Sequence, residues 1–563
     1  MYMQMRFPHP NGNSATTTTA STFTVEPPPQ ILVLGGGFAG LAAARTVLQH
    51  CPASRVTLLE AKDRFGGRVH SVCLNNKHES KDEATTSNDD DDDDDINTTI
   101  NNSHSASHTN PLEPAIWADL GGMFWHGNTS TVFELLSRDF PHVEAVASGG
   151  DSAIPVLDSA TWLRYHHDSD DDQRPQPVTK KEIQRSKELY DAWEAAMHQR
   201  YQQEAGAHFV ATDSETAQLL SSWSDDFWST LTDPLERDLL QLQMTMSFEM
   251  DRGIGWENHT LTSLDKDWDW VNILGDDVIA RQGMHGYVTA LVDDIRKMGG
   301  QLLLNQRVTA IEYGHPHHHP GCTVTTEAGR EFHGDFVVVA LPLGVLKQRA
   351  LTLFSPPLPS PHMDALNRAG VGVLNTLIVR WNRALALPGQ SNAYYFLQSK
   401  HKDNPLRHGF SCPSHLRQSQ EKSPNTITQF HFSETNHPFH DLTYWKRQAL
   451  QIVQDVVEEP LSLDDILVAH VSQWHLDPDI RGAYSAATTR TRGNADRRIL
   501  ATPVGRRLFF AGEHTHTQGR YQSMDGAYET GVRAAYEILQ VLVPAWRKNV
   551  TSSSYNNVAT GRA

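Results

Sequence analysis

Cysteine is scarce in this chain. Its 563 residues include four, Cys51, Cys73, Cys322 and Cys412, and no two share a short spacing. That excludes a disulfide framework and a cysteine-based metal site, and it makes a reducing compartment the simpler setting. Long apolar runs are missing too: none reaches the roughly 20 residues that a membrane-spanning helix needs. The opening, MYMQMRFPHPNGNSATTTTASTFTVEPPP, holds no apolar core for a secretory signal. It is rich in Thr and Ser and free of acids until Glu26. A disordered tail over 1–28 is therefore expected, with the cytoplasm favoured and an organelle transit peptide as the alternative. The final Gly-Arg-Ala is not the peroxisomal Ser-Lys-Leu signal. Positive charge is also in short supply, 48 Lys and Arg against 67 Asp and Glu, for a net charge of −19. Some of that excess is the run Asp89–Asp95. What remains is still acidic, which argues against direct nucleic-acid binding and suits a cationic partner.

What the chain does have is concentrated first in Ile31–Arg68, ILVLGGGFAGLAAARTVLQHCPASRVTLLEAKDRFGGR. Ile31–Leu34 reads as a strand buried on both faces. Gly35, Gly37 and Gly40 follow as G-x-G-x-x-G, and a helical pattern runs from Phe38 to His50. Gly35 allows the tight turn, Gly37 lets backbone approach a pyrophosphate, and Gly40 lets helix and strand pack closely. The helix start, Phe38 and Ala39, offers N–H groups and a partial positive charge to phosphates. A second apolar run, Val56–Leu59, ends on Glu60, which can accept hydrogen bonds from a ribose and repel a 2′-phosphate. Strand, turn, helix and acid in that order predict a dinucleotide-binding unit.

Glu60-Ala-Lys-Asp-Arg64-Phe-Gly66-Gly67-Arg68 resembles the E-x-x-x-R-x-G-G-R signature of the flavin-dependent amine oxidase superfamily. Polyamine oxidases resemble this chain most, and lysine-specific histone demethylases next. The resemblance implies FAD as cofactor. Asp119-Leu-Gly121-Gly122-Met123-Phe124-Trp-His126-Gly127 resembles a stretch that crosses the flavin in polyamine oxidases, with the His beside the substrate channel. Val308 matches a residue packing near the adenine. Phe336–Lys347 closely resembles the A-L-P-L-G-V-L-K segment. Trp474 lies in a segment resembling one that covers the flavin. Gly512 and Glu513 resemble the second FAD-binding motif, and Ser523 and Met524 open a helix expected near the flavin's pyrimidine end. Three positions depart from the family. Thr376 stands where relatives carry a Lys that holds a water against flavin N5. Ala486 and Ser523 are small where relatives place aromatics, so an aromatic cage around the amine is not expected.

The implied architecture is an α/β two-domain flavoprotein. A Rossmann-like FAD-binding domain would be assembled from 29–72, 115–130, 281–345 and 465–545. A substrate domain over 131–280 and 346–464 would carry a mixed sheet flanked by helices. Residues 131–250 read as mainly helical, and strands are expected at Leu302–Leu304, Val308–Tyr313, Thr323–Glu327 and Phe336–Ala340. Residues 74–114 read as a disordered Asp-rich insertion, His315–His319 as a hairpin loop, and 546–563 as a tail. No metal is expected. Among the acids Glu249, Asp251, Glu257, Asp265, Asp267, Asp269, Asp276 and Asp277, one or two facing a channel could hold an alkylammonium group.

The implied reaction is oxidation of a polyamine C–N bond, of the spermine and spermidine class. Hydride passes to flavin N5, giving an imine and then aldehyde plus amine, while O2 becomes H2O2. His126, Thr376 and Trp474 are the candidate catalytic residues. The alternatives are a histone-lysine demethylase-like enzyme, an L-amino-acid oxidase using Arg380 or Arg481 as a carboxylate clamp, or a flavin-binding protein with weak turnover because of Thr376.

Overall fold

A computed structural model describes residues 27–75, 115–127, 130–147, 161–164, 174–205, 220–250, 253, 255–259, 277–314, 321–387, 394–397, 401, 403–412, 425–433, 441–488 and 490–542. The expected tails, the Asp-rich insertion and His315–His319 lie outside these residues, apart from a few positions at their edges.

Five strands form a wholly parallel sheet in the order Leu508–Phe510, Phe336–Val339, Gln30–Leu34, Arg55–Leu59, Gln301–Leu303. Ile31 to Leu34 are buried, as an uninterrupted apolar run in a covered parallel sheet should be. On one face the helix Phe38–His50 packs between the helices His285–Lys297 and Met524–Leu542. Contact with the last of these is backbone to backbone, since a Cβ on Gly531 would lie 2.1 Å from the Ala39 carbonyl oxygen. Against the other face, Leu32, Leu34, Val337 and Val339 meet Val308 and Ile311 of a four-stranded sheet and the helices Leu343–Leu353 and Ser360–Arg368. A Rossmann-like half is thus built from segments far apart in the chain.

The other half is a mixed seven-stranded sheet ordered Ile466–Val471, Asn375–Trp381, Ile427–Phe432, Gly409–Ser411, Tyr394–Leu397, Thr161–Arg164, Gln176–Pro177. The helix Leu442–Val456 buries Trp445, Ile452 and Val453 in one cluster with Leu377, Val379 and Phe430. A helical layer of Lys180–Ala205, Leu220–Thr230 and Pro234–Met244 has its own core around Trp193, Trp223 and Phe248. Pro234–Met244 runs on into a π-helical turn, Thr245–Met250.

Strand positions match the sequence reading to within a residue, at Gln301–Leu303, Val308–Tyr313, Cys322–Thr326 and Phe336–Val339. Among the described residues the mainly helical stretch does contain four helices and the π turn, but it also contributes Thr161–Arg164 and Gln176–Pro177 to the large sheet. Topology suggests adjusted domain limits. We propose that residues 131–147, 277–280 and 346–372 belong with the nucleotide-binding half, whose cores they enter, and that Ile466–Val471 belongs with the other.

Candidate functional site

The turn after the first strand is fixed by steric necessity. Gly35 has φ +103°, and a Cβ there would stand 2.7 Å from the Ala340 carbonyl oxygen. Gly40 would drive a Cβ to 1.9 Å from the Gly35 carbonyl, so the third glycine seats the helix on the turn. Gly37 differs: the nearest neighbour of an added Cβ is Gly66 oxygen at 3.9 Å, because that side is open. Gly37 caps the helix without a side chain, and the first ladder bond is Leu41 N–H to Gly37 O at 2.9 Å. The N–H groups of Phe38, Ala39 and Gly40 therefore precede the ladder, where a phosphate can use them.

Beside the turn opens a cavity of about 800 Å³. It runs between the two halves of the molecule and borders every predicted cofactor residue except Gly40, whose role is packing. Near the second strand, Glu60 accepts hydrogen bonds from Gly36 N–H at 2.6 Å and Lys62 N–H at 3.0 Å. Burial pushes its carboxyl upward, while those two N–H groups and Arg64 oppose the shift. Val308 borders the same region, and its carbonyl accepts from Arg349 at 2.8 Å.

A second carboxylate closes the cradle. Glu513 is 3 % exposed and accepts from Ser485 N–H at 2.9 Å, Ser485 Oγ at 2.7 Å and Gln522 N–H at 2.9 Å. Burial alone would raise its carboxyl, but Arg68, His514, Arg497 and the Ser485 hydroxyl hold it down to about 2. Arg68 stands 3.5 Å away and also donates to the Ala483 carbonyl. Gly512, Met123, Phe124 and Met524 complete this wall. Gly121 and Gly122 are confined by their neighbours: a Cβ on the first would meet Arg68 oxygen at 1.9 Å, and on the second the Met524 sulfur at 3.0 Å. The Ser523 hydroxyl donates to Arg520 O at 2.7 Å and accepts from Gly526 N–H at 3.0 Å, so it caps the last helix. Helix-start N–H groups, two glycine-lined passages and a buried acid at each end fit a long dinucleotide such as FAD.

Beyond that wall lie the candidate catalytic residues. Trp474 borders the cavity and is fixed by its N–H bond to Asn375 Oδ1 at 3.0 Å. Thr376 is 4 % exposed, and its Oγ1 lies 3.2 Å from His431 Nδ1 on the facing strand. His431 also borders the cavity, and burial pushes its imidazole down to about 4. No motif marked this histidine; only the strand register Thr376↔His431 reveals it. Tyr484 is a second residue the sequence reading missed, and it borders the same cavity as Phe124 and Trp474.

His126 borders the cavity with Nδ1 3.5 Å from Asp277 Oδ2, and Asp277 Oδ1 accepts Gly127 N–H at 3.1 Å. The pairing of Trp125 with Val278 brings these residues together. Of the eight candidate channel acids, Asp277 is the one the described residues place on the cavity. Ser247, from the π-helical turn, joins this end. Arg380 and Arg481, the possible carboxylate clamps, do not border it; Arg380 donates to the Leu74 carbonyl instead. Among the described residues no group of three His, Cys, Asp or Glu could hold a metal ion, and no helix is long and apolar enough to cross a membrane.

Comparison with known proteins agrees with this geometry. A family model described as flavin containing amine oxidoreductase matches residues 103–539, and one described as an NAD(P)-binding Rossmann-like domain matches residues 33–96. Lysine-specific histone demethylase 1 homolog 2 of Oryza sativa subsp. japonica is 26% identical over 92% of this chain, which spans 59% of that protein. Polyamine oxidase 4 of the same organism is 24% identical over 91% of this chain and 88% of its own length. Polyamine oxidase 2 of Arabidopsis thaliana is 25% identical over 90% of this chain and 87% of its own length. A solved double mutant of putrescine oxidase, redesigned in cofactor binding, superposes with TM-score 0.57 at 17% identity, over 91% of this chain and all of that one. It shares the fold. With well over half its length matched by the family model, the chain belongs to the flavin containing amine oxidoreductases and is an FAD-dependent amine oxidoreductase.

Proposed function

We propose that this protein oxidises a C–N bond of a polyamine of the spermine and spermidine class. The observation that carries the reading is Asp277, held by Gly127 N–H and His126 on the same cavity as the dinucleotide cradle. A carboxylate there attracts an alkylammonium group, and the net charge of −19 favours the approach of cations. Relatives named polyamine oxidases support the same class.

The roles follow from placement. Gly35, Gly37, Phe38 and Ala39 would hold the pyrophosphate, Glu60 a ribose, and Val308 the adenine region. Gly121, Gly122, Met123, Trp474, Ser523 and Met524 would enclose the ring system. Bound FAD would supply the hydride acceptor and pass the electrons on to O2. The chain's own work is positioning and electrostatics. Asp277 and His126 take the distal ammonium, while Phe124, Trp474 and Tyr484 exclude water near the reacting carbon. An apolar wall favours the neutral amine that reacts, although alkylamines arrive protonated at a solution pKa of ~10.

The test is a panel of spermine, spermidine, their acetylated forms, simple monoamines and methylated lysine peptides, read by peroxide release and aldehyde formation. Polyamines should give the highest kcat/KM. A preference for methylated lysine would instead favour the second reading, a demethylase-like activity, which the rice relative keeps open.

A further inference from the structure

Thr376 and His431 oppose each other on antiparallel strands, both on the cavity beside Trp474. His431 Nδ1 is engaged with Thr376 Oγ1 at 3.2 Å, and Nε2 has no hydrogen-bond partner among the described residues. Nε2 is therefore the nitrogen left for a ligand. The ring is neutral near pH 7, because burial pushes it well below its ordinary value. A neutral imidazole has one N–H and one bare nitrogen.

The chemistry of amine oxidation chooses between the two tautomers. As hydride leaves the α-carbon, the amine lone pair forms the new C=N bond, so that lone pair must be free. An Nε2–H would donate to it and tie it up. A bare Nε2 accepts an amine N–H instead and leaves the lone pair available. Thr376 provides for the second arrangement, since its oxygen can accept Nδ1–H.

We propose that His431 Nε2 receives an N–H of the reacting amine, with Thr376 Oγ1 accepting Nδ1–H to hold the ring in that tautomer. A neutral primary or secondary amine keeps an N–H to donate, and a neutral tertiary amine has none. The pair therefore makes the site selective for N–H-bearing amines. This rests on the proposed amine oxidation, and it separates polyamine substrates from a dialkylated lysine.

The test compares spermidine with its internally N-methylated, tertiary counterpart in the FAD-loaded protein. Flavin bleaching without oxygen gives the rate. Binding of a tert-alkyl amine, which has no α-hydrogen and cannot react, is followed by perturbation of the oxidised flavin spectrum. The wild type should reduce faster with spermidine by about tenfold or more, the scale of one hydrogen bond. His431→Leu should bring that ratio to within about twofold and weaken tert-alkyl amine binding by a similar factor. Thr376→Val should fall in the same direction, and Thr376→Ser should restore both readouts. An unchanged ratio in a flavin-loaded His431→Leu protein, or equal wild-type rates with both amines, overturns the proposal. If no amine bleaches the flavin, amine oxidation itself fails, and tert-alkyl amine binding still decides the role of His431.

Discussion

Arg68 and Glu513 stand 3.5 Å apart across the cofactor cradle, joining the first glycine-rich segment to the short turn Glu513–Thr515 that follows the strand Leu508–Phe510. Glu513 is nevertheless more than a surface ion pair, because three further hydrogen bonds converge on it. Its carboxyl is held at about 2, below the ordinary 4.5. A depressed acid stabilises the fold above its unfolded value and loses that contribution as pH falls through the folded one. Glu513→Gln should therefore cost on the order of 3 kcal/mol at neutral pH. The gap from wild type should narrow between about pH 4.5 and 2, measured by denaturant unfolding. A gap independent of pH would show that the carboxylate's charge is not what stabilises.

The glycines separate folding from binding. Gly37→Ala places a methyl in open space beside Gly66, so the apo protein should keep its Tm while FAD affinity falls by about tenfold or more. Gly531→Ala drives a methyl to 2.1 Å from the Ala39 carbonyl and must push the two packed helices apart. It should lower stability by about 2–4 kcal/mol, seen as a lower Tm with and without FAD.

Lys347 belongs to the segment that most resembles polyamine oxidases, yet its ammonium is spent on structure. It donates to the carbonyls of Leu366, Asn367 and Ala369 at 2.7, 3.1 and 2.6 Å, closing the end of the helix Ser360–Arg368. Lys347→Met should cost about 1–2 kcal/mol in unfolding experiments, because the half-buried carbonyls of Leu366 and Ala369 lose their donor. KM for amines and the flavin spectrum should not move.

Asp277 carries the substrate reading. Asp277→Asn should raise KM for spermine and spermidine by about tenfold while changing kcat little, because the distal ammonium is held equally before and during reaction. A monoamine without a second cationic centre should be unaffected. Equal losses for both substrates would place Asp277 in support of His126 and not in contact with the amine.

The dinucleotide half was legible because its signals are local. Strand, turn, helix and acid follow one another within Ile31–Glu60; Gly35 and Gly40 answer contacts inside that unit or at the end of the neighbouring strand, and Gly37 leaves its side open. The amine end was half legible. His126 and Thr376 sit in recognisable segments, whereas His431 and Asp277 reach them through pairing with remote strands. Eight acids close together in sequence could not single out Asp277, since the selecting contact is the Trp125–Val278 bridge. Thr161–Arg164 and Gln176–Pro177 escaped notice because two to four residues carry too little periodicity beside a long helix. The π-helical turn that brings Ser247 to the cavity has no sequence signature either, because it continues an ordinary helical pattern.

The central claim is that an amine entering past Asp277 gives up hydride in this cavity. Anaerobic mixing of the purified, flavin-loaded protein with spermine or spermidine tests it most directly. The account predicts complete bleaching of the oxidised flavin, with colour restored on admitting air. A flavin that stays oxidised under saturating polyamine, yet bleaches with another amine, would contradict the substrate class; one that no amine reduces would contradict the account.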